Sequence, residues 1–188
     1  MRVVAGSARG RHLVAPRSSD TRPITNRVKE TLFGILGERV PGARALDLYA
    51  GSGAIGIEAL SRGAASCTFV ERGREALAAL RRNLETTGMG AAATVVGIDV
   101  IRFLDAPATD RYTLAIVDPP FAEHAILAPL RRLVPHLSRD ATVVVRHFWR
   151  TAVELPPELR LVRERRLGET QLTFIEPRHP EPPQAEVR

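Results

Sequence analysis

Lysine is almost missing from these 188 residues: Lys29 stands alone against 26 arginines. So lopsided a ratio reflects coding-DNA base composition, and the arginine total by itself says nothing about nucleic acid. Cysteine is equally scarce. A single Cys67 excludes a disulfide framework and points to a reducing compartment, the cytoplasm. No apolar run approaches the length that crosses a bilayer, so no membrane partner is expected. Aromatic residues number only nine, too few for the continuous stacking surface on which single-stranded nucleic acid is usually held. No histidine among His12, His124, His136, His147 and His179 has metal-ligand spacing, and no metal is expected. The composition that remains, 44% hydrophobic over 188 residues, fits one globular domain with a proper core.

Charge is unevenly placed. Residues 1–30 carry a net +5 and residues 131–166 another +5, while the rest of the chain carries −4. Two basic segments flanking an acidic middle suit a polyanion gripped at its phosphates, although a charge run is often only a solvated face. The first nineteen residues have the Arg- and Ser-bearing, acid-free composition of a transit peptide. Val3-Val4-Ala5, a Gly6–Gly10 turn and His12-Leu13-Val14 read instead as a β-hairpin over about 2–15.

Beyond the hairpin a polar linker leads to a helix over about 25–36, ended by Gly37. An alternation follows: strand 44–49, helix 53–62, strand 66–70, helix 73–87, strand 93–98, short helix 100–104, strand 112–117, helix 123–137 and strand 141–147. Such alternation predicts an α/β fold with a mostly parallel sheet and right-handed crossovers. Two period-two runs, 159–165 and 171–175, predict an antiparallel edge hairpin. Residues 177–188, rich in proline, are expected to be a disordered tail. Cys67 reads as a small buried hydrophobe; Trp149, flanked by Arg146 and Arg150, reads as a core tryptophan, with an RNA contact as the alternative.

Two motifs carry chemistry. Asp118-Pro119-Pro120-Phe121 ends an apolar strand with a carboxylate, carbonyls lacking a competing N–H, and an aromatic ring. Open α/β sheets bind ligands at that end of a strand. The set suits an exocyclic amine on a planar base, with acceptors for its hydrogens and a ring to stack on; a proline-rich strand exit with a core Phe is the plain alternative. Earlier, Asp47-Leu48-Tyr49-Ala50 leads into Gly51-Ser52-Gly53-Ala54-Ile55-Gly56 and a helix, with Glu71 ending the next strand. Glycines in that context let backbone approach a nucleotide-like ligand, and the acid suits ribose hydroxyls. Asp47 would repel a pyrophosphate and suits the ammonium of a methionine moiety, which favours S-adenosyl-L-methionine over a dinucleotide.

Taken together the motifs resemble a Rossmann-like class I S-adenosylmethionine-dependent methyltransferase. With Arg22-Pro23-Ile24-Thr25-Asn26-Arg27-Val28-Lys29-Glu30-Thr31-Leu32-Phe33 and Arg166-Leu167-Gly168-Glu169-Thr170 added, residues 1–176 resemble the bacterial 16S rRNA guanine-N2 methyltransferase family of the RsmD type. The chain departs from that family's pattern at Ile24 and Asn26, at Arg146 on the fifth strand, where Glu is frequent, and at Leu167. The resemblance implies a seven-stranded, mostly parallel sheet with an antiparallel edge hairpin. It divides the chain into an extension over 1–40 that covers cofactor and RNA, a catalytic core over 41–176 and a tail over 177–188. It implies methyl transfer to the N2 amine of a guanine in 16S rRNA, at a site of the guanine-966 type. The partner is then 16S rRNA or the assembling small subunit, met by a monomer. Asp118, Pro119 and Phe121 are the expected catalytic set. Asp47, Tyr49, Gly51, Gly53, Glu71, Asp99, Val100, Asp118 and Thr25 are expected around the cofactor, though Asp99 and Thr25 also read as N-caps. Arg9, Arg11, Arg17, Arg22 and Arg27 are expected on RNA. Other readings remain open: methylation of another base amine or a protein glutamine, a non-catalytic RNA-binding assembly factor, and a nicotinamide dehydrogenase. The last finds no hydride-transfer site after Glu71.

Overall fold

The computed structural model describes residues 1–16, 24–120 and 126–178. Strands β1 (Arg44–Leu48), β2 (Ser66–Val70), β3 (Ala93–Val96), β4 (Tyr112–Val117), β5 (Leu137–Phe148), β6 (Leu159–Leu167) and β7 (Thr170–Pro177) form one seven-stranded sheet in the order β3-β2-β1-β4-β5-β7-β6. The first five pair in parallel, and β7 and β6 close the far edge antiparallel. The expected fold class is thus the observed one. Helices α1 (Asn26–Leu36), α2 (Ala54–Ser61), α3 (Arg74–Thr87), α4 (Val100–Leu104) and α5 (Leu127–Leu133), with short 3-10 turns at Gly37–Arg39, Gly90–Ala92 and Val134–His136, complete the described elements.

Side-chain alternation sends each strand's residues into two cores. Ala45, Leu114, Ile116 and Val144 join the cluster that includes α1 and α2, while Leu46, Ala115, Val117, Val143 and Val145 join the one that includes α4 and α5. Cys67 packs in the first of these, buried as expected, and burial pushes its thiol pKa well up. Every residue of α2 is buried, including Glu58 and Ser61. A short helix can be covered all round only if something lies on its outer face.

The N-terminal segment does so, folded back on itself as the expected hairpin. Arg2 and His12 form an antiparallel bridge, flanked by the Val3 N–H donating to the Arg11 carbonyl at 2.9 Å and the Leu13 N–H to the Met1 carbonyl at 2.8 Å, and the pairing stops after Val3. Val4 and Ala5 donate their N–H groups to the Glu58 carboxylate at 2.8 and 2.9 Å, and the Ala8 N–H goes to Ser61 Oγ at 3.0 Å. Backbone groups satisfied by a helix are not available for a ladder. Gly6, at φ +84°, lies so close that an added Cβ would sit 1.7 Å from the Ser61 carbonyl oxygen.

Other boundaries also differ from expectation, three of them for a visible reason. The helix expected at 123–137 is described as α5 plus a 3-10 turn, Val134–His136. Pro135 lacks the N–H that would continue the helical ladder, while Val134 itself keeps helical backbone at φ −49°, ψ −47°. β5 begins at Leu137 rather than 141, its polar Ser138-Arg139-Asp140 lying across a register shift opposite β4. β1 ends at Leu48 because Tyr49 turns to φ +59°. Of the expected tail, Pro177 still pairs with Leu159, and the Arg178 N–H donates to the Glu158 carbonyl at 2.7 Å. Residues 179–188 lie outside the described residues.

Candidate active site

β1 sits between β2, which follows it, and β4, reached by a long crossover. A sheet whose winding reverses opens a crevice beyond the C-terminal ends of those strands. A cavity of about 640 Å³ lies there, lined among others by Asp47, Tyr49, Glu71, Asp99, Asp118 and Arg146. The glycine turn and the Asp118-Pro119-Pro120 corner therefore face one space.

The glycine turn is held from three directions. Gly51, at φ +55°, donates its N–H to Glu71 Oε2 at 2.8 Å, and the Gly73 N–H reaches Glu71 Oε1 at 2.6 Å. One carboxylate thus fastens the turn to the start of α3. Gly53 caps α2 at φ +77°, and an added Cβ there would meet Leu80 Cδ1 at 2.2 Å. Asn83, 1% exposed, donates to the carbonyls of Ser52 and Val14 at 2.9 and 3.0 Å and accepts the Val14 N–H. That side chain joins the turn to the N-terminal segment.

Three acids give the cavity its field. Asp47 is 2% exposed, and its Oδ2 accepts the Gly56 N–H at 2.9 Å. Burial pushes its carboxyl pKa well up, the Gly56 hydrogen bond opposes that, and Asp118 and Glu71 add to it. Asp118 is also raised by burial, but the Arg146 guanidinium pulls it down: Nε donates to Oδ1 at 2.6 Å. Among the described residues Asp118 Oδ2 accepts no hydrogen bond. A carboxylate stripped of water next to two other acids favours a cationic ligand.

The expected site residues fall into three groups. Asp47, Tyr49, Gly51, Glu71, Asp99, Val100, Asp118 and Pro119 line the cavity together. Gly53 and Thr25 do not. Gly53 lies behind the turn it shapes, and Thr25 is the N-cap of α1, its hydroxyl accepting the Val28 N–H at 3.3 Å. Its neighbour Ile24 reaches the cavity instead. Asp99 has both expected places: it lines the cavity, caps α4 through Ile101 and Arg102, and pairs with Arg72 at 3.0 Å. Phe121, Arg17 and Arg22 lie outside the described residues, while Arg9, Arg11 and Arg27 are exposed.

Sequence reasoning passed over three residues. Arg146 was visible only as a departure from a pattern. Asn83 had a faint signal, an amide on the buried face of α3. Glu58 gave none, because its four donors come from three segments: Val4, Ala5, Lys29 and Arg62. Trp149 corrects the core reading. It is half-buried at the end of β5, with the guanidinium carbons of Arg150 and Arg166 4.7 and 3.7 Å from its ring centroid.

Sheet order, switch-point cavity and glycine turn define a class I methyltransferase fold. A solved RNA methyltransferase candidate from Pyrococcus horikoshii shares it at TM-score 0.65 with only 18% identity. The donor set fits the cofactor of that class, S-adenosyl-L-methionine: buried acids for its positive groups, Glu71 for ribose, and apolar Ile24 and Val100 beside them. The family model "Conserved hypothetical protein 95" matches residues 1–176, and the chain belongs to that family, the RsmD-type rRNA methyltransferases. Bacillus subtilis YlbH, a candidate rRNA methyltransferase, is 37% identical over 185 residues, 95% of this chain and 100% of that one. Ribosomal RNA small subunit methyltransferase D of Escherichia coli is 44% identical over 121 residues, 64% of this chain and 60% of that protein. A solved candidate methyltransferase of E. coli, yhhF, superposes at TM-score 0.84 with 34% identity, covering 94% of this chain and 97% of the other.

Proposed function

We propose that this chain methylates ribosomal RNA, moving the methyl group of S-adenosylmethionine to the exocyclic N2 amine of a guanine in 16S rRNA, at a site of the guanine-966 type. One observation carries the reading: the Asp118-Pro119 acceptors open into the same cavity as the glycine turn, Asp47 and Glu71. The names of its relatives point to small-subunit rRNA as the substrate class. The partner is naked 16S rRNA or the assembling subunit, and the protein acts as a cytoplasmic monomer.

When bound, the sulfonium supplies an electrophilic methyl carbon together with its own leaving group. The protein's part is chiefly positioning. Asp47 holds the ammonium, Glu71 the ribose hydroxyls, and Asp99 and Val100 the adenine, while Tyr49, Gly51 and Gly53 shape the turn around them. Thr25 acts through the start of α1, which brings Ile24 to the cavity. A guanine N2 lone pair is drawn into its ring and is a poor nucleophile. The Asp118 carboxylate and the Pro119 carbonyl accept its two hydrogens, bend the nitrogen toward tetrahedral geometry and offset the positive charge that grows there. Asp118 Oδ2 then takes the proton. Phe121 stacks on the base after it leaves its helix. Arg9, Arg11, Arg17, Arg22 and Arg27 hold backbone phosphates.

Transfer of tritiated methyl to 16S rRNA or assembled subunits tests this. Digestion should yield N2-methylguanosine, and Asp118→Ala should abolish transfer while calorimetry still shows cofactor binding. Label on a different base would replace guanine N2. Label on protein alone, or no label on any nucleic acid, would end the proposal.

A further inference from the structure

The edge where β5 leaves the sheet carries a feature that the site above does not use. Trp149 follows β5 directly, three residues beyond the Arg146 that holds Asp118, so it stands on the order of 10 Å along the strand from the acceptor corner. Its N–H donates to the Glu169 carbonyl at 3.0 Å, which ties it to the turn between β6 and β7. Phe148 packs beside it at 6.2 Å between centroids. Arg166, on β6, lays its guanidinium carbon 3.7 Å from the indole centroid and donates Nε to the Gly168 carbonyl at 2.9 Å. Arg150 places a second guanidinium 4.7 Å from the same centroid. Neither arginine makes an ion pair with a described residue.

Two like charges gathered by one ring repel each other, and although Glu164 shares Arg166's face of β6 and Glu169 stands in the adjoining turn, neither guanidinium is ion-paired to a described carboxylate. The arrangement therefore favours an anion. A stacked guanidinium also keeps its N–H donors in its own plane, directed past the ring edge rather than into it. Such a fork matches two oxygens of a phosphodiester, and the stacking has already restricted a side chain that otherwise samples many rotamers.

We propose that Trp149, Arg150 and Arg166 form a phosphate clamp for the RNA strand beside the target nucleotide. The clamp rests on the RNA reading given above. It fixes the strand by its backbone, without reading sequence, at a set distance from Asp118.

Fluorescence anisotropy of the full chain on transcribed 16S rRNA, followed across a potassium chloride series, tests it. In Arg150→Ala/Arg166→Ala the slope of log affinity against log salt should fall by about 0.7–0.9 per lost phosphate contact. Trp149→Ala should weaken binding although it removes no charge, and Trp149→Phe, which keeps a ring, should restore most of it. Arg82→Ala on the outer side of α3 serves as the control, and calorimetric cofactor affinity reports whether each variant is folded. Wild-type RNA binding with an unchanged slope in the double variant overturns the clamp alone. Absence of RNA binding and of methyl transfer by the wild type overturns the RNA reading, and the clamp with it.

Discussion

Replacing Lys29 tests why a chain of arginines keeps one lysine. Its side chain is 0% exposed. Nζ donates to the Arg2 carbonyl at 2.6 Å and to Glu58 Oε2 at 3.0 Å, so one compact ammonium pins α1 and the N-terminal segment to α2. Burial lowers its pKa and the Glu58 charge opposes that. Burial raises that of Glu58, but the Val4 N–H, the Lys29 charge and the Arg62 and Lys29 hydrogen bonds outweigh it and leave its pKa lowered. Removing one partner of a buried pair costs roughly 3–5 kcal/mol. Glu58 would keep Val4, Ala5 and Arg62, which places Lys29→Met near the lower end, about 3 kcal/mol. For a chain of this size that is a melting-temperature loss of roughly 6–12 °C. Lys29→Arg keeps the charge but forces a larger planar group into a closed site, an overpacking cost of about 1–3 kcal/mol. A group with a depressed folded pKa stabilises above its unfolded value and loses that contribution as pH falls through the folded one. Losing Lys29 raises the Glu58 pKa, so acid unfolding of Lys29→Met should begin at higher pH. Met1, Ala15, Pro16 and Ile24 line the cavity, so cofactor affinity should fall as well. Urea unfolding and calorimetry measure both effects. Lys29→Arg unfolding at the wild-type midpoint, or Lys29→Met losing under about 1 kcal/mol, would refute the reasoning.

Arg146→Leu removes the group that holds the Asp118 pKa down against burial, so Asp118 stays protonated to higher pH. The acid limb of the kcat profile should move to higher pH with the alkaline side unchanged, and Arg146→Lys should fall between; an unmoved limb would mean that Asp118 does not act as an ionised acceptor. Gly56→Ala places a Cβ 2.3 Å from Phe69 Cε1 and 2.7 Å from Cys67 Sγ, where α2 lies on β2. Denaturant titration should show a loss of roughly 1–3 kcal/mol, and an unshifted midpoint would mean that the helix moves aside freely.

Local rules made much of this molecule legible. Strand and helix periods, the Gly51–Gly56 turn and the Asp118-Pro119 corner depend on residues within a few positions of one another, and each stands where pattern and turn chemistry predict. The N-terminal hairpin was legible in the same way, but its early end after Val3 was not. Val4 and Ala5 have strand-forming neighbours, but a carboxylate more than fifty residues away offered their N–H groups a better acceptor. Asn83 joining Val14 to Ser52, Arg146 meeting Asp118, and Trp149 meeting arginines from β6 and its own strand exit are contacts of the same kind. The sequence alone settled which chemical groups stand at the ends of the strands. Only folding decided which of them meet, because those meetings follow from strand order and crossover direction, properties that no short stretch of chain contains.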